Sequence, residues 1–513
     1  MNIKDAKNEV KNIVLAYLAK DANGMPLIPE EHQRPVLLMG PPGIGKTAIM
    51  EQIASELGIN LVSYTITHHT RQSAIGLPGI VHRNFGGEEF AVTEYTMSEI
   101  IASVYEQIER SGIREGILFL DEINCVSETL APTMLQFLQF KTFGTHKVPE
   151  GFVIVTAGNP PEYNQSVREF DIVTLDRLRR IDIDADLPAF REYAYRAKIH
   201  GAVMAYLEIR KDRFYQVHAD TDRKRFVTAR GWEDLSDALK AYEILGLPVT
   251  EALMVQYLQD PEIASDFAVY YELYRKYESF YQIPKILSGE AEINDKLRYA
   301  PFDEKLSLIG LLTDALNAEF REYRDRQTEA ESTLAMLQEY GRALKAGTAA
   351  SGETQNPAEI LLALLQAKID ERQHLKQAAM LSREEEGDSR RLEAAVRGLY
   401  TELREEAAGA DGLDARTALA LAKTWFAARE DARQQSIEAT GEHLTNVFRA
   451  LNQTFPQGQE MVIFLSELNA GYYSLKFVNE CGNETYFHYN KLLLLKDRND
   501  SLRREILRMT GEL

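Results

Sequence analysis

The sequence has little cysteine and no long apolar run. Its two cysteines, Cys125 and Cys481, are far apart, so a disulfide framework is not expected and a reducing compartment fits. No apolar segment approaches the roughly 20 residues that a membrane helix needs. The N-terminal stretch "MNIKDAKNEVKNIVLAYLAKD" carries charges throughout and lacks the apolar core of a secretory signal. We therefore expect a cytoplasmic protein that does not associate with a membrane.

Basic residues are also fewer than acidic residues. The chain has 58 Lys and Arg against 78 Asp and Glu, which gives a net charge of -20 at pH 7. Proteins that bind along DNA or RNA need dense fields of lysine and arginine, so nucleic acid is a disfavoured partner. The length of 513 residues exceeds what one compact core holds, and the apolar content of 45% is that of a folded protein. Two to four domains are expected.

Short β-like runs alternate with helical patterns from about residue 35 to 187. The runs are "PVLLM", "NLVSYTI", "GILFLDE", "FVIVTAGN" and "RIDIDA". The first, third and fourth are nearly all apolar, which is typical of strands in a parallel sheet that helices cover on both faces. The alternation predicts an α/β domain at 35–187 with right-handed crossovers, after an N-terminal helix and loop at 1–34. Two extended runs around Asn84-Phe85-Gly86-Gly87 predict an inserted hairpin at about 79–95.

The rest of the chain has a helical pattern. We predict an α-helical lid at 188–290, a helical extension at 291–346 and a helical C-terminal region of unassigned role at 358–513. Residues 347–357 are mostly small and polar and end in a proline, which predicts a linker. Within the lid, Tyr270, Tyr274, Tyr277 and Tyr281 fall on one helical stripe, which we interpret as helix packing.

The segment "GPPGIGKT" has the spacing of a P-loop and lies between an apolar strand and a helix. Its glycines let backbone N–H groups approach phosphate oxygens, and the following helix directs its positive end at the anion. Lys46 is predicted to reach the β- and γ-phosphates of ATP, and Thr47 to ligate Mg²⁺. The predicted nucleotide-binding residues of this segment are Gly40, Pro41, Pro42, Gly43, Ile44, Gly45, Lys46 and Thr47.

Polar side chains follow two further apolar strands. Asp121 and Glu122 end "GILFLDE", where two carboxylates are costly without a cation or partner. Beside a P-loop, Asp121 is predicted to hold the Mg²⁺ shell and Glu122 to polarise the attacking water. Asn159 ends "FVIVTAGN" and is predicted to hydrogen-bond the γ-phosphate and that water; the alternative is that it only opens the turn before two prolines.

Together with "VIVTAGNPPEYNQSVREFDIVTLDRL" and "FVTARGWEDLSDAL", these motifs resemble AAA+ ATPases of the MoxR-type branch. That branch is also similar to the magnesium chelatase motor subunit and to dynein-related AAA modules. The resemblance covers about residues 35–285. It implies a P-loop AAA+ three-layer sandwich with a parallel sheet, an α-helical lid and, here, a long α-helical C-terminal region.

The resemblance also implies roles for two arginines. Arg177, in the segment "LDRL", matches the arginine finger that reaches the γ-phosphate bound in a neighbouring subunit, and Arg179 and Arg180 are the alternatives. Arg230 matches the sensor 2 arginine that enters the ATP site from the lid. A finger acting between subunits implies a homo-oligomeric ring, expected to be a hexamer, with the insert hairpin facing the pore or a partner.

The expected function is ATP hydrolysis coupled to chaperone-like remodelling of a protein, with ATP and Mg²⁺ as cofactors. By resemblance, the expected partner carries a von Willebrand factor A domain or is another protein client. One alternative is a scaffold whose partner binding is switched by the bound nucleotide and which hydrolyses ATP slowly. Another is the motor of a complex similar to metal chelatase, and a nucleic-acid motor is disfavoured by the acidic balance.

Overall fold

The computed structural model describes residues 1–68, 76–127, 129–163, 167, 170–219, 224–291, 293, 295–350, 356–377, 381–408, 413–456 and 458–492. Its strands are β1 (Val36–Met39), β2 (Asn60–Thr65), β3 (Pro78–Phe85), β4 (Glu88–Tyr95), β5 (Gly116–Asp121), β6 (Thr142–Phe143), β7 (His146–Lys147), β8 (Phe152–Gly158), β9 (Arg179–Asp182), β10 (Gln216–Ala219) and β11 (Lys224–Val227). Five of them form one parallel sheet in the order β2-β5-β8-β1-β9. The remaining strands form three two-stranded antiparallel sheets.

Helices cover both faces of the five-stranded sheet. The helices of this part are α1 (Ile3–Leu18), α2 (Lys46–Leu57), α3 (Glu99–Ser111), α4 (Ala131–Phe140) and the short α5 (Ile172–Leu175). Successive residues of a strand point to opposite faces, so Val36 and Leu38 pack with α1 and α2 while Leu37 and Met39 pack with α3 and α4. The nearly continuous apolar strands therefore serve two cores, and the predicted α/β three-layer fold is confirmed.

The hairpin β3–β4 projects from this domain. Its strands pair from Pro78 with Tyr95 to Phe85 with Glu88, and Gly86 and Gly87 form the turn with φ of +65° and +96°. Most side chains on both strands are exposed. The hairpin lies where the sequence predicts an insertion.

The second part of the described chain is almost entirely helical. Its helices are α6 (Leu187–Ala197), α7 (Gly201–Ile209), α8 (Ala229–Leu245), α9 (Glu251–Leu258), α10 (Pro261–Tyr281), α11 (Ile283–Leu287), α12 (Phe302–Ala350), α13 (Pro357–Gln377), α14 (Arg383–Ala407), α15 (Ala415–Thr454), α16 (Gln459–Ala470) and α17 (Tyr472–Cys481). The four tyrosines predicted to pack lie on α10, in or against the core of this part. No described helix is both long enough and apolar enough to cross a membrane.

Two hydrophobic cores organise these helices. The larger core joins the predicted lid with the first half of α12, the second half of α15, α16 and α17. The smaller core joins the second half of α12 with α13, α14 and the first half of α15. The predicted boundary at 290/291 therefore does not separate cores, because residues on both sides pack together.

The structure corrects part of the predicted linker at 347–357. Helix α12 continues through Ala350, and α13 begins at Pro357. Alanine is the strongest helix former, so the small residues that suggested a linker also suit a helix end. Residues 351–355 lie outside the described part of the chain, as do residues 493–513 at the end of the predicted C-terminal region.

Candidate nucleotide site

The predicted site residues meet at the carboxyl edge of the parallel sheet. β1 leads into the loop 40–45 and α2, β5 ends at Asp121, and β8 ends one residue before Asn159. Because β8 lies between β1 and β5 in the sheet, these three chain ends are neighbours. Ligands of open α/β sheets bind at this edge, where loops follow the strands.

The loop backbone depends on two glycines with positive φ. Gly43 has φ +72° and Gly45 has φ +94°, backbone angles that residues with a Cβ rarely adopt. Gly45 is the N-cap of α2, and a Cβ added to it would meet no atom within 4 Å. The space over the start of α2 is therefore open, and the first N–H groups of the helix are free of a side-chain cap, as an anion site requires.

Lys46 is buried at the centre of this arrangement. Its Nζ donates hydrogen bonds to the carbonyl oxygens of Gly40 and Pro41, each at 2.8 Å, and to Oδ1 of Asn159 at 2.9 Å. Burial lowers the pKa of Lys46, Asp121 opposes this shift and Arg230 adds to it, and the resulting pKa is about 8. The ammonium is thus held by neutral acceptors that a phosphate could replace.

Thr47 and Asp121 offer oxygen ligands side by side. Thr47 Oγ1 donates to Asp121 Oδ2 at 3.2 Å, and the other carboxylate oxygen accepts from the backbone N–H of Glu122 at 2.8 Å. Mg²⁺ prefers oxygen ligands and takes only one or two carboxylates, with phosphates and water completing its shell. The pair therefore fits the predicted Mg²⁺ site.

Glu122 has an unusual backbone and a specific partner. Its φ is +57°, in the left-handed region, and a short turn of 3-10 helix (Ile123–Cys125) follows it. Its Oε2 accepts a hydrogen bond of 2.8 Å from Thr67 Oγ1. Thr67 follows β2, the neighbour of β5, so it reaches the same edge of the sheet. The sequence analysis missed Thr67, although its position directly after a strand is a usable signal.

The predicted lid also contacts the loop at residues 40–45, which we call the phosphate loop. The backbone N–H of Arg230 donates to the carbonyl of Gly43 at 3.1 Å, and Tyr215 Oη donates to the carbonyl of Pro42 at 2.9 Å. A Cβ at Gly43 would lie 2.9 Å from Thr228 Oγ1, so Gly43 also allows this close approach. The structure thus places Arg230 at the loop, at the start of α8. Tyr215 was missed, since no local pattern marks it.

The three candidate finger arginines lie at or just before the start of β9, away from the loop at residues 40–45. Arg179 pairs with Val36 at the amino end of β1, and the register runs to Met39 beside Asp182. Four strand residues, about 13 Å of chain, therefore separate that end from the loop at Gly40. Arg177 precedes β9, is exposed, and lines a cleft with Leu135, Leu138 and Gln139 of α4. The structure does not bring Arg177 to the nucleotide site of its own chain.

Arg179 and Arg180 each hydrogen-bond to a carboxylate of their own chain. Arg179 donates to Glu9 Oε1 at 2.6 Å, and Arg180 donates to Asp182 Oδ1 at 2.8 Å. Each of these guanidinium groups is thus engaged by a carboxylate of its own chain. Of the three candidates, Arg177 is the one in the turn that follows α5.

Comparison with protein families agrees with this geometry. Residues 36–177 match the model of the ATPase family associated with various cellular activities, AAA. This segment is therefore similar to an AAA domain. The match begins with β1, ends at Arg177, and includes the phosphate loop, the acid pair and Asn159. A search of curated proteins found no match to the chain. The match supports nucleotide binding and a general ATPase activity.

Proposed function

We propose that this protein is a MoxR-like AAA+ ATPase that hydrolyses ATP in a ring and uses the energy to remodel or activate a protein partner. The observation that carries the ATPase part is the convergence of Lys46, Asp121, Glu122 and Asn159 at the carboxyl edge of the sheet, within the AAA domain.

The residues of the site have different roles in hydrolysis. Backbone N–H groups of the loop and the Lys46 ammonium bind the phosphates, and Thr47 and Asp121 hold Mg²⁺. When bound, Mg²⁺ neutralises charge on the β- and γ-phosphate oxygens. Glu122 orients water for in-line attack, and Asn159 helps to place that water. The Oδ1 of Asn159 accepts from Lys46, and its Nδ2 group carries two N–H donors that can reach the γ-phosphate or the water.

The position of Arg177 supports a ring. It lies near the amino end of β9, away from the loop of its own chain, and is exposed. A guanidinium at a subunit boundary can donate parallel hydrogen bonds to phosphate oxygens of the adjoining site. We infer that Arg177 completes the site of the next subunit in a ring, expected to be a hexamer. Arg179 and Arg180, which are engaged within their own chain, instead stabilise β9.

The partner is proposed from the resemblance to the MoxR-type branch. A protein with a von Willebrand factor A domain, or another protein client, would contact the exposed hairpin β3–β4 or the helical C-terminal region. Pull-down with the Glu122→Gln variant in ATP should retain that partner on the assembled ring.

Steady-state turnover tests the enzymatic part of this proposal. Glu122→Gln keeps the size of the side chain but removes the carboxylate, so we expect ATP binding to persist while turnover falls by at least about a hundredfold. Wild-type protein that hydrolyses ATP as slowly as the variant would instead support the nucleotide-switched scaffold. The hydrogen bond from Thr67 to Glu122 is the feature that favours that second candidate, because it occupies the catalytic carboxylate.

A further inference from the structure

Asn124 connects the acid pair to the strand that carries Asn159. It lies two residues after Glu122, in the turn of 3-10 helix, and is only 3% exposed. Its Nδ2 donates a hydrogen bond of 2.8 Å to the backbone carbonyl of Asn159. The side chain of Asn159 in turn accepts from Lys46. Asn124 therefore touches the backbone of a residue whose side chain lies in the phosphate site.

The backbone at Gly158 packs closely against the Asn124 side chain. A Cβ added to Gly158 would lie 2.6 Å from Asn124 Oδ1 and 2.8 Å from its Cγ. Glycine at 158 thus lets the Asn124 amide lie directly against the end of β8. Asn159 is followed by Pro160 and Pro161, which carry no N–H group. Local backbone hydrogen bonds are therefore scarce here, and the Asn124 amide supplies one.

Packing alone does not account for asparagine at this position. The Oδ1 of Asn124 is buried and has no hydrogen-bond partner among the described residues. A buried polar atom without a partner destabilises a fold, so an apolar side chain would be favoured if filling space were sufficient. What an apolar side chain cannot provide is the N–H donor to the Asn159 carbonyl.

We propose that Asn124 is a positioning residue for hydrolysis, which fixes the backbone of Asn159 so that its amide is held in place for the attacking water and the γ-phosphate. This inference rests on the proposed ATPase function. It assigns Asn124 no contact with ATP. The hydrogen bond also ties the segment that carries Glu122 to the segment that carries Asn159, so both groups that place the water share one support.

The test compares kcat with ATP affinity in Asn124 variants. In Asn124→Ala we expect kcat to fall about tenfold or more, because small displacements of a positioning group cost large factors in rate. The Kd for ATP should change less than about threefold, since the loop, Lys46 and Thr47 are untouched. Asn124→Asp keeps the shape but has no N–H donor, so it should lose kcat similarly. Gly158→Ala, which displaces the amide, should have the same effect.

Asn60→Ala is the matched control. Asn60 is fully buried and its Nδ2 donates to the backbone carbonyl of Ile113 at 2.7 Å, but it begins β2 at the opposite edge of the sheet. It should lower the melting temperature as Asn124→Ala does and leave kcat unchanged. If the Asn124 variants keep wild-type kcat, or lose kcat and affinity together as the protein unfolds, the positioning role is wrong. Wild-type protein without ATP turnover would instead overturn the proposed function itself.

Discussion

At the scale of single residues, the proposed function requires that Lys46 be protonated to bind phosphate. Burial lowers its pKa to about 8, so the free side chain loses its proton as the pH rises through that value. Phosphate binding needs the charged form. We therefore predict that the Kd for ATP is constant below about pH 8 and then rises by up to about tenfold per pH unit. Calorimetric titration with ATP between pH 7 and pH 9.5 measures this dependence.

Lys46→Arg is the control for that titration. A guanidinium stays charged over the whole range, so this variant should bind more weakly at pH 7 but with a Kd that does not change with pH. A wild-type Kd that stays flat up to pH 9.5 would contradict the assigned pKa of Lys46.

The sequence predicted Lys46 and Thr47 from the spacing of the glycine-rich loop, and Asp121, Glu122 and Asn159 from their positions at the ends of apolar strands. The structure brings these residues together, and their catalytic and binding roles stay predictions. Two other polar contacts at this edge of the sheet were not predicted. Thr67 and Asn124 act on residues of neighbouring strands, so their contacts depend on the order of strands in the sheet. The position of Thr67 after a strand is a local signal, but which residue each side chain contacts is a long-range pairing that a local pattern does not give.

At the scale of elements, the lid meets the phosphate loop through a small number of contacts. One is the hydrogen bond from Tyr215 Oη to the carbonyl of Pro42, 173 residues away in sequence. Burial raises the pKa of Tyr215, so the hydroxyl keeps its proton and remains a donor. We expect ATP to bind when the lid lies against the loop. Removal of this donor should therefore weaken ATP binding.

We predict that Tyr215→Phe weakens ATP binding by roughly three- to tenfold, the effect of one net hydrogen bond. Tyr17→Phe is the control, because Tyr17 Oη donates in the same way to the carbonyl of Arg34 at 3.1 Å, away from the lid. Equal Kd values for wild type and Tyr215→Phe, measured under the same conditions, would show that this contact does not hold the lid.

Elements with strong local patterns were predicted well, and elements whose ends depend on packing were not. The apolar runs of β1, β5 and β8 identify strands covered on both faces. Helix α12 was predicted to end at residue 346 because the next residues are small and polar, yet it continues to Ala350. Its second half packs in the smaller core with α13 and α14. The small and polar composition of residues 347–350 therefore did not mark the helix end.

At the scale of the whole molecule, the lid and the C-terminal helices share one core. The 49 residues of α12 correspond to a rod of about 73 Å, and the helix contributes Leu312, Leu316 and Phe320 to the larger core and Tyr340 to the smaller one. Asn446 of α15 also donates to the carbonyl of Leu287 at 2.8 Å. A change in lid position should therefore move the C-terminal helices with it.

A pair of core substitutions tests this coupling. Phe448 lies in the larger core and Leu399 in the smaller one, and both are fully buried. Either change to alanine should cost about 2–5 kcal/mol locally. In hydrogen exchange, Phe448→Ala should deprotect α8 and α10 of the lid and reduce ATP turnover. Leu399→Ala should deprotect only the helices of the smaller core. Unchanged lid exchange in Phe448→Ala would show that the two regions are independent.

The central claim is that each nucleotide site is completed by Arg177 of an adjoining copy. Subunits carrying Lys46→Ala lack phosphate binding, and subunits carrying Arg177→Ala lack the finger, so each variant alone should be inactive. In a mixed ring, an Arg177→Ala subunit receives an intact finger from a Lys46→Ala neighbour. ATP turnover of the mixture should therefore recover to a clear fraction of the wild-type rate. Mixed rings that form but stay inactive, or full turnover by Arg177→Ala alone, would contradict the account.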